Sequence, residues 1–152
     1  VMRVAVFSDS HGYRGRLSNL LMMLEAEGPL DAIIHLGDGD RDLHQLGVDL
    51  PPVYQVSGNC DFMPDCLLMD VKIGNARLLL THGHHQNVKT DRERLHRLAV
   101  QYQVQAALYG HTHVQRMEDY CGILMLNPGA AMDGHCALLE IDRQGGVGVK
   151  LY

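Results

Sequence analysis

Short apolar runs that end in polar clusters containing glycine recur along the chain, and this pattern constrains the fold more than any other feature. The runs are residues 3–7, 32–36, 53–56, 77–80, 106–109 and 123–126. Each contains a few β-branched residues or is rich in Leu or Ala, so we predict that they form buried strands of open sheets. Polar side chains and glycines therefore collect where the strands end.

Helical patterns lie between these runs and are typical of crossovers between parallel strands. Apolar residues with i, i+3, i+4, i+7 spacing predict two helices, one on Leu17, Leu20, Leu21 and Leu24 and one on Leu95, Leu98, Ala99 and Tyr102. Gly28-Pro29 ends the first helix, and Thr90 with Glu93 predicts a capping box before the second. A shorter helix is predicted over Asp42–Leu46.

Hairpins become more frequent after about residue 71. Turns are predicted at Gly74-Asn75, between residues 114–117 and 123–126, and at Gln144-Gly145-Gly146. The chain is therefore expected to be an α/β protein with mixed sheets. In open α/β sheets ligands bind at the carboxyl ends of the strands, so the polar clusters are expected to converge on one edge.

The composition limits the classes of function. A length of 152 residues suits one domain, residues 1–152, with its own core. The formal net charge of −5 argues against a broad surface for nucleic acid or an anionic membrane. No membrane span or secretory leader is recognised, and the four cysteines are scattered, so a cytoplasmic protein with reduced thiols is expected.

Seven side chains in the polar clusters have the chemistry of metal ligands: Asp9, His11, Asp38, Asn59, His82, His111 and His113. Two carboxylates, one amide oxygen and four imidazoles suffice for two cations if one carboxylate bridges them. Asp9 and His11 follow one strand, and His111 and His113 follow another. Residues two apart in an extended segment face the same side, so Ser10 and Thr112 are expected to point away.

This ligand set predicts hydrolytic phosphate chemistry. Two divalent ions with two carboxylates leave a charge of about +2, which attracts phosphate. Such a pair can hold a bridging hydroxide that attacks phosphorus in line. The mixed nitrogen and oxygen donors suit manganese, our first expectation, and also iron, nickel, cobalt or zinc, better than magnesium or calcium.

The same residues resemble the calcineurin-like metallophosphoesterases. The motifs are Asp9-Ser10-His11-Gly12, Gly37-Asp38, Gly58-Asn59-Cys60-Asp61, Thr81-His82-Gly83-His84 and Gly110-His111-Thr112-His113. They are most similar to the small bacterial and archaeal phosphodiesterases, a branch that includes the catalytically degenerate retromer subunit. The resemblance implies two mixed β-sheets packed face to face and flanked by helices, a four-layer α-β-β-α sandwich.

The resemblance also implies how the ligands are shared. Asp9, His11, Asp38 and His113 would hold one metal, and Asp38, Asn59, His82 and His111 the other. Asp38 would then be the bridge. Asp38, Asn59 and His84 are the expected catalytic residues.

Two positions depart from the family pattern. Many members carry His after the Gly-Asn pair, where this chain has Cys60, and a thiol is a poor substitute for an imidazolium. This departure favours substrates with good leaving groups or another acid, either His84 or His85. Many members also continue Gly-Asp-x-x-Asp, where this chain has Arg41 between Asp40 and Asp42.

The expected function is that of a phosphoesterase acting on a small phosphorylated substrate, on diesters rather than monoesters. The rival hypothesis is a catalytically silent, metal-binding scaffold for protein interactions, and a homo-oligomer stays open. Specificity is expected in the loops 61–70 and 86–90. His35 is expected to be a hydrogen-bonded core residue, and Arg92, Arg94 and Arg97 are interpreted as a solvated helix face.

Overall fold

Two five-stranded sheets and two α-helices make up the computed structural model, which describes residues 1–62 and 66–152. Within these residues the strands are β1 (Met2–Phe7), β2 (Ala32–His35), β3 (Val53–Gln55), β4 (Leu68–Ile73), β5 (Ala76–Thr81), β6 (Ala106–Leu108), β7 (Arg116–Tyr120), β8 (Ile123–Asn127), β9 (Ala137–Ile141) and β10 (Val147–Leu151). The helices are α1 (Arg14–Ala26) and α2 (Glu93–Tyr102).

Both sheets are mixed. The first has the order β10-β9-β1-β2-β3, in which β1, β2 and β3 are parallel and the β9–β10 hairpin is antiparallel. The second has the order β4-β5-β6-β8-β7, in which β5, β6 and β8 are parallel and β4 and β7 pair antiparallel at the edges. The predicted strands and hairpin turns are thus confirmed, with the strand before the second turn beginning at Arg116.

The hydrophobic core has three parts that define four layers. One part lies between the sheets and combines residues such as Val6 and Ile34 of the first sheet with Leu78 and Leu108 of the second. Another packs α1 on the outer face of the first sheet, and the third packs α2 on the outer face of the second. The α-β-β-α sandwich is therefore confirmed.

The helices follow their apolar spacing, but the predicted capping box is wrong. Leu17, Leu20, Leu21 and Leu24 are all buried in α1. The N-cap residue of α2, Arg92, makes no capping hydrogen bond with its side chain, and Asp91 Oδ1 accepts the Glu93 N–H at 3.0 Å. Thr90 instead donates its hydroxyl to Asn87 Oδ1.

The structure also differs from the predicted bounds of one helix and one loop. The helix expected over Asp42–Leu46 is a 3-10 helix over His44–Leu46 that ends at Gly47 in the left-handed conformation. The expected specificity loop 61–70 includes residues 63–65, which lie outside the described residues, and its last residues belong to β4. In the described part of the chain, none of the helices has the length and apolar character that crossing a bilayer requires.

The carboxyl ends of the central strands meet at one edge of the sandwich. After β1, the Asp9 N–H donates to Gly37 O after β2, at 2.9 Å. After β5, His82 reaches across to the first sheet, with its Nδ1 2.8 Å from Leu36 O. The first hydrogen bond joins two loops of the first sheet, and the second connects the two sheets where their polar clusters lie.

The buried face of α1 should contribute strongly to stability. Leu24 is fully buried, whereas Met22 on the same helix is 63% exposed. We expect Leu24→Ala to lower the free energy of unfolding by about 2–5 kcal/mol because it leaves a cavity against the sheet. Met22→Ala should change it by less than about 0.5 kcal/mol. Urea unfolding measures both, and equal losses would contradict this assignment of the helix faces.

Candidate metal centre

Two buried carboxylates and three imidazoles converge at the shared edge of the sheets. Asp9 Oδ1 lies 3.2 Å from His113 Nε2, 3.5 Å from His11 Nε2 and 3.8 Å from His82 Nε2. Asp38 Oδ2 lies 3.2 Å from His82 Nε2 and 3.6 Å from His11 Nε2. Asp9, His11 and His113 form one group whose ligand atoms lie within 4.8 Å of one another, and Asp9, Asp38 and His82 form another.

One oxygen of Asp9 is engaged by the protein and the other is free. Asp9 Oδ2 accepts the Ser8 hydroxyl at 2.5 Å and the His111 N–H at 3.0 Å. Asp9 Oδ1 is buried and, among the described residues, has no hydrogen-bond partner. The carboxylate is thus fixed in orientation with one oxygen directed at the imidazoles.

Asp38 is held in the same way. Its Oδ1 accepts the Cys60 N–H at 2.8 Å, which leaves Oδ2 facing His82 and His11. Asp61 supports the loop that carries Asp38: its carboxylate accepts the backbone N–H groups of Asp38, Gly39, Asp40 and Gly58 at 2.7–3.0 Å. Sequence analysis placed Asp61 in the motif but missed this role, because no local pattern shows which amides a carboxylate will bind.

Two of the histidine nitrogens that face the carboxylates are also buried with no hydrogen-bond partner in the described part of the chain. His82 is fully buried, and its Nδ1 lies against Leu36 O, so Nε2 is free to bind a cation. Within the described residues, His82 Nε2 and His11 Nε2 are buried without a hydrogen-bond partner. Buried polar atoms are rarely left unpaired, so this arrangement fits residues that hold a metal.

The remaining predicted residues lie at the rim of this group. The His111 ring is 5.1 Å from that of His82, and the His84 ring is 5.4 Å from His82 and 6.1 Å from His111. His84 Nδ1 is buried and without a partner among the described residues, whereas Asn59 is exposed and its amide contacts Cys60 Sγ at 3.5 Å. The geometry brings Asp9, Asp38, His11, His82 and His113 together more closely than Asn59, His84 and His111.

The backbone at the candidate ligands is not extended, which corrects the reasoning from side-chain alternation. Five of them have left-handed φ angles: Asp9 (54°), His11 (47°), Asp38 (60°), His111 (72°) and His113 (63°). The strands end at Phe7 and Leu108, so the alternation of a strand no longer applies to these loops. Such conformations are costly for residues with a Cβ and collect at functional sites.

Ser10 and Thr112 nevertheless point away from the centre, as expected. Ser10 Oγ donates to Asp42 Oδ2 at 2.6 Å and lies 2.9 Å from His35 Nε2. Thr112 Oγ1 accepts hydrogen bonds from Asn127 Nδ2 and the Val114 N–H. Both side chains therefore hold the loops in place through hydrogen bonds on the side that faces away from the centre.

Two positions require glycine because atoms of other loops lie too close to leave room for a Cβ. A Cβ on Gly58 would collide with the Asp38 carboxylate and lie 2.6 Å from the Asp38 nitrogen. A Cβ on Gly110 would collide with the Ser8 hydroxyl and lie 2.7 Å from Asp9 Oδ2. Both glycines therefore let a second backbone segment contact a candidate ligand.

Charge coupling shifts the pKa values of the centre. Burial alone would raise the pKa of Asp38, but the adjacent His82 ring and the hydrogen bond from the Cys60 N–H hold it well below its usual range. Burial opposes protonation of His82, yet the neighbouring Asp38 and Asp9 carboxylates raise its pKa. The two carboxylates thus favour positive charge at this position, which a bound cation would also supply.

The pKa values of the residues at the rim are shifted by other causes. Desolvation, together with the Asp38 carboxylate, raises the pKa of the Cys60 thiol. Desolvation and the neighbouring His85, His82 and His111 lower the pKa of His84. Burial, His82 and Lys89 lower the pKa of His111. Cys60 Sγ lies within 4.8 Å of ligand atoms of His11 and Asp38, although a thiol was not among the predicted ligands.

A buried network behind the centre includes His35. His35 is fully buried, and its Nδ1 accepts a hydrogen bond from the Gly37 N–H. Its Nε2 is hydrogen-bonded with Ser10 Oγ. The expectation that His35 is a hydrogen-bonded core residue is therefore confirmed. Asp42 completes the network by accepting the Ser10 hydroxyl and the Gly12 N–H. Asp42 follows the unusual Arg41 and supports the loop of His11, a role that only the three-dimensional contacts reveal.

Comparison with known families and curated proteins gives one consistent set of matches. A family model described as the calcineurin-like phosphoesterase superfamily domain matches residues 2–144. "Probable metallophosphoesterase YsnB" of Bacillus subtilis is 33% identical over 132 residues, which are 85% of this chain and 75% of that protein. "Phosphodiesterase MJ0936" of Methanocaldococcus jannaschii is 24% identical over 151 residues, covering 84% of this chain and 83% of that one.

Solved structures have the same architecture. Vps29 of Entamoeba histolytica, described as complexed with zinc, matches with a TM-score of 0.75 and 25% identity over 99% of this chain and 98% of that chain. A structure described as a novel archaeal phosphodiesterase matches with a TM-score of 0.79 and 17% identity over 99% of this chain and 100% of that one. The second likeness concerns the fold alone.

The buried His35 should make stability depend on pH. Burial lowers the pKa of His35 to about 4, whereas the unfolded chain holds this proton up to about pH 6.5. The folded state therefore binds fewer protons between these values, and stability is complete above pH 6.5 and falls as the pH approaches 4. We expect His35→Gln to flatten this dependence by up to about 3 kcal/mol.

Urea unfolding in EDTA at pH 4 to 7 tests this, with His44→Gln as the control because His44 is exposed. The control should keep the slope of the original protein. The same slope in His35→Gln would contradict a neutral, buried His35.

Proposed function

The chain belongs to the calcineurin-like phosphoesterase superfamily, and from that membership we propose that it hydrolyses small phosphodiesters at a centre of two divalent cations. The observation that carries the proposal is the way in which the side chains of Asp9, Asp38 and His82 are oriented. Each has one atom bonded to the protein, and the other faces the shared space. Oriented donors of this kind are what a metal centre needs.

Two ligand sets share one carboxylate in this proposal. Asp9, His11, Asp38 and His113 hold one cation, and Asp38, Asn59, His82 and His111 hold the other, with Asp38 as the bridge. The short distances among Asp9, His11, Asp38, His82 and His113 support the core of both sets. When bound, a pair of divalent cations supplies an activated water and positive charge for the phosphoryl oxygens.

The donor set favours manganese among the cations of the cell. Imidazole nitrogens and carboxylate oxygens suit manganese, iron, nickel, cobalt or zinc, and selection among them depends on availability. Two such cations beside two carboxylates leave a charge of about +2, which favours binding of a phosphate ester. This local charge contrasts with the net charge of −5 of the whole chain.

Cys60 and His84, the residues proposed to lie near the leaving group of the substrate, favour diesters with good leaving groups. Cys60 keeps its proton because its pKa is raised, so it is a weak acid for the departing oxygen. His84 has an inward-facing ring atom without a partner and a lowered pKa, so it is neutral near pH 7 and contacts the leaving group by a hydrogen bond. We assign His84, Asp38 and Asn59 as the residues that touch substrate or cations.

The core between the two sheets supports one functional unit. Side chains from both sheets pack in the same buried layer, from Val4 near one terminus to Ile141 near the other. Residues 1–152 are accordingly proposed to act as one metallophosphoesterase domain.

The likeness to Vps29 favours one alternative, a catalytically silent, metal-binding scaffold for protein interactions. Exposed apolar side chains such as Tyr13, Met22 and Val48 would suit protein contact. The alternative predicts that the protein binds cations without hydrolysing esters.

Hydrolysis of aryl esters separates these functions. With Mn²⁺ added to stripped protein, bis(4-nitrophenyl) phosphate should turn over faster than 4-nitrophenyl phosphate. His113→Ala and Asp38→Ala should each lower kcat by at least about 100-fold, because they remove proposed cation ligands. Arg94→Ala, at an exposed position of α2, is the control and should retain full activity. Failure to hydrolyse either ester with cations bound would favour the scaffold.

Cation stoichiometry tests the centre without activity. Calorimetry and elemental analysis should find about two Mn²⁺ per chain in the original protein and about one in His113→Ala and in His82→Ala. A single cation in the original protein, or two in both variants, would contradict the shared ligand sets.

A further inference from the structure

A small cavity with a basic lining lies beside the candidate metal centre. It has a volume of about 150 Å³ and lies between the start of α2 and the start of β7. The lining residues that matter here are Val88, Lys89, Arg92, Tyr109, Thr112 and Arg116. Sequence analysis grouped Arg92 with Arg94 and Arg97 as a solvated face, but Arg92 points inward and only the other two are exposed.

Two arginines in this cavity are held in place by one carboxylate. Arg92 Nε lies 2.9 Å from Glu118 Oε1, and Arg116 Nη2 lies 3.1 Å from Glu118 Oε2. Lys89 adds a third cation and, among the described residues, makes no ion pair. One carboxylate therefore balances three cations, and the lining has an excess of positive charge.

The nearest acidic residues in sequence, Asp91 and Glu93, do not line the cavity, and they make their hydrogen bonds elsewhere. Asp91 Oδ1 accepts the Glu93 N–H at 3.0 Å, and Glu93 Oε2 accepts the Tyr120 hydroxyl at 2.9 Å. The guanidinium groups thus keep donors for an outside anion. Arginine is well suited to this role because its planar array of N–H groups matches phosphate oxygens.

The cavity and the metal centre share a wall. Thr112, which lines the cavity, lies between His111 and His113 in the chain. Val88, also in the lining, contacts the loop between His82 and His84: a Cβ on Gly83 would lie 2.6 Å from Val88 Cγ2. The loops that carry the candidate ligands His82, His111 and His113 therefore border the cavity.

We propose that this basic cavity binds a second phosphate of the substrate, one that is not hydrolysed, so that preferred substrates are small phosphodiesters with an additional terminal phosphate. This inference rests on the proposed function and adds a substrate class to it. Val88 and Tyr109 are buried and form an apolar wall of the cavity, beside which the attraction between the cations and a phosphate is screened less than in open solvent. The loop 86–90, expected to carry specificity, contributes Lys89 and Val88.

A matched pair of chromogenic substrates tests the proposal. Thymidine 5′-(4-nitrophenyl phosphate) and the same compound with a 3′-phosphate differ only in the second phosphate. We expect kcat/KM with Mn²⁺ to be about 10- to 100-fold higher for the 3′-phosphorylated compound, the size expected for charge-assisted hydrogen bonds. Lys89→Ala and Arg116→Ala should reduce this ratio several-fold, mainly through KM, and Arg94→Ala should preserve it.

A binding measurement separates failure of this inference from failure of the proposed function. In EDTA, calorimetry should show tighter binding of thymidine 3′,5′-bisphosphate than of the 5′-monophosphate, and Arg116→Ala should remove the difference.

If neither ester turns over, the proposed function fails and this binding result alone decides the second site. Equal kcat/KM for the pair, or an unchanged ratio in both variants, would overturn the inference. Stronger competition by a thymidine oligonucleotide than by the bisphosphate would overturn the commitment to a small substrate.

Discussion

Two like charges buried beside each other are the constraint on which the rest of the structure depends. Asp9 is fully buried and Asp38 is 4% exposed, and oxygens of the two carboxylates lie within 4.8 Å of each other. Repulsion and lost hydration make such a pair unfavourable unless positive groups and hydrogen-bond donors compensate for it. His82, the Cys60 and His111 N–H groups and the Ser8 hydroxyl provide that compensation from both sheets. Proposed cations would complete it.

The loops at the strand ends adopt backbone conformations of higher free energy in this arrangement. Left-handed backbone at a residue with a Cβ costs about 1 kcal/mol or more, and five candidate ligands adopt it. The rigid parts around the loops maintain these conformations: Asp61 binds four amides, and Asp42 and Asn127 bind the loops of His11 and Thr112. The centre is therefore preorganised by residues that do not themselves face it.

Local patterns were sufficient to predict the strands, both helices, the hairpin turns and the family, because burial and turn chemistry depend on near neighbours in the chain. They were insufficient where distant contacts decide. Asp9 and His11 were expected on an extended segment, yet a hydrogen bond from the His11 N–H to Asp38 O holds them in a turn. Thr90 was expected to cap α2, yet it bonds Asn87. Arg92 was assigned to solvent, yet Glu118, on a strand far along the chain, draws it inward. The ligand roles themselves stay predictions.

The pairing of β9 with β1 joins opposite ends of the chain, from Met2 with Ile141 to Val6 with Ala137. Just before β9, the Ala131 and Met132 N–H groups donate to Ser8 O and Asp9 O. During synthesis on the ribosome, the loop that carries Asp9 is therefore made well before the two residues that donate these hydrogen bonds to it. The full set of contacts around this loop forms only after β9 has been made and can pair with β1.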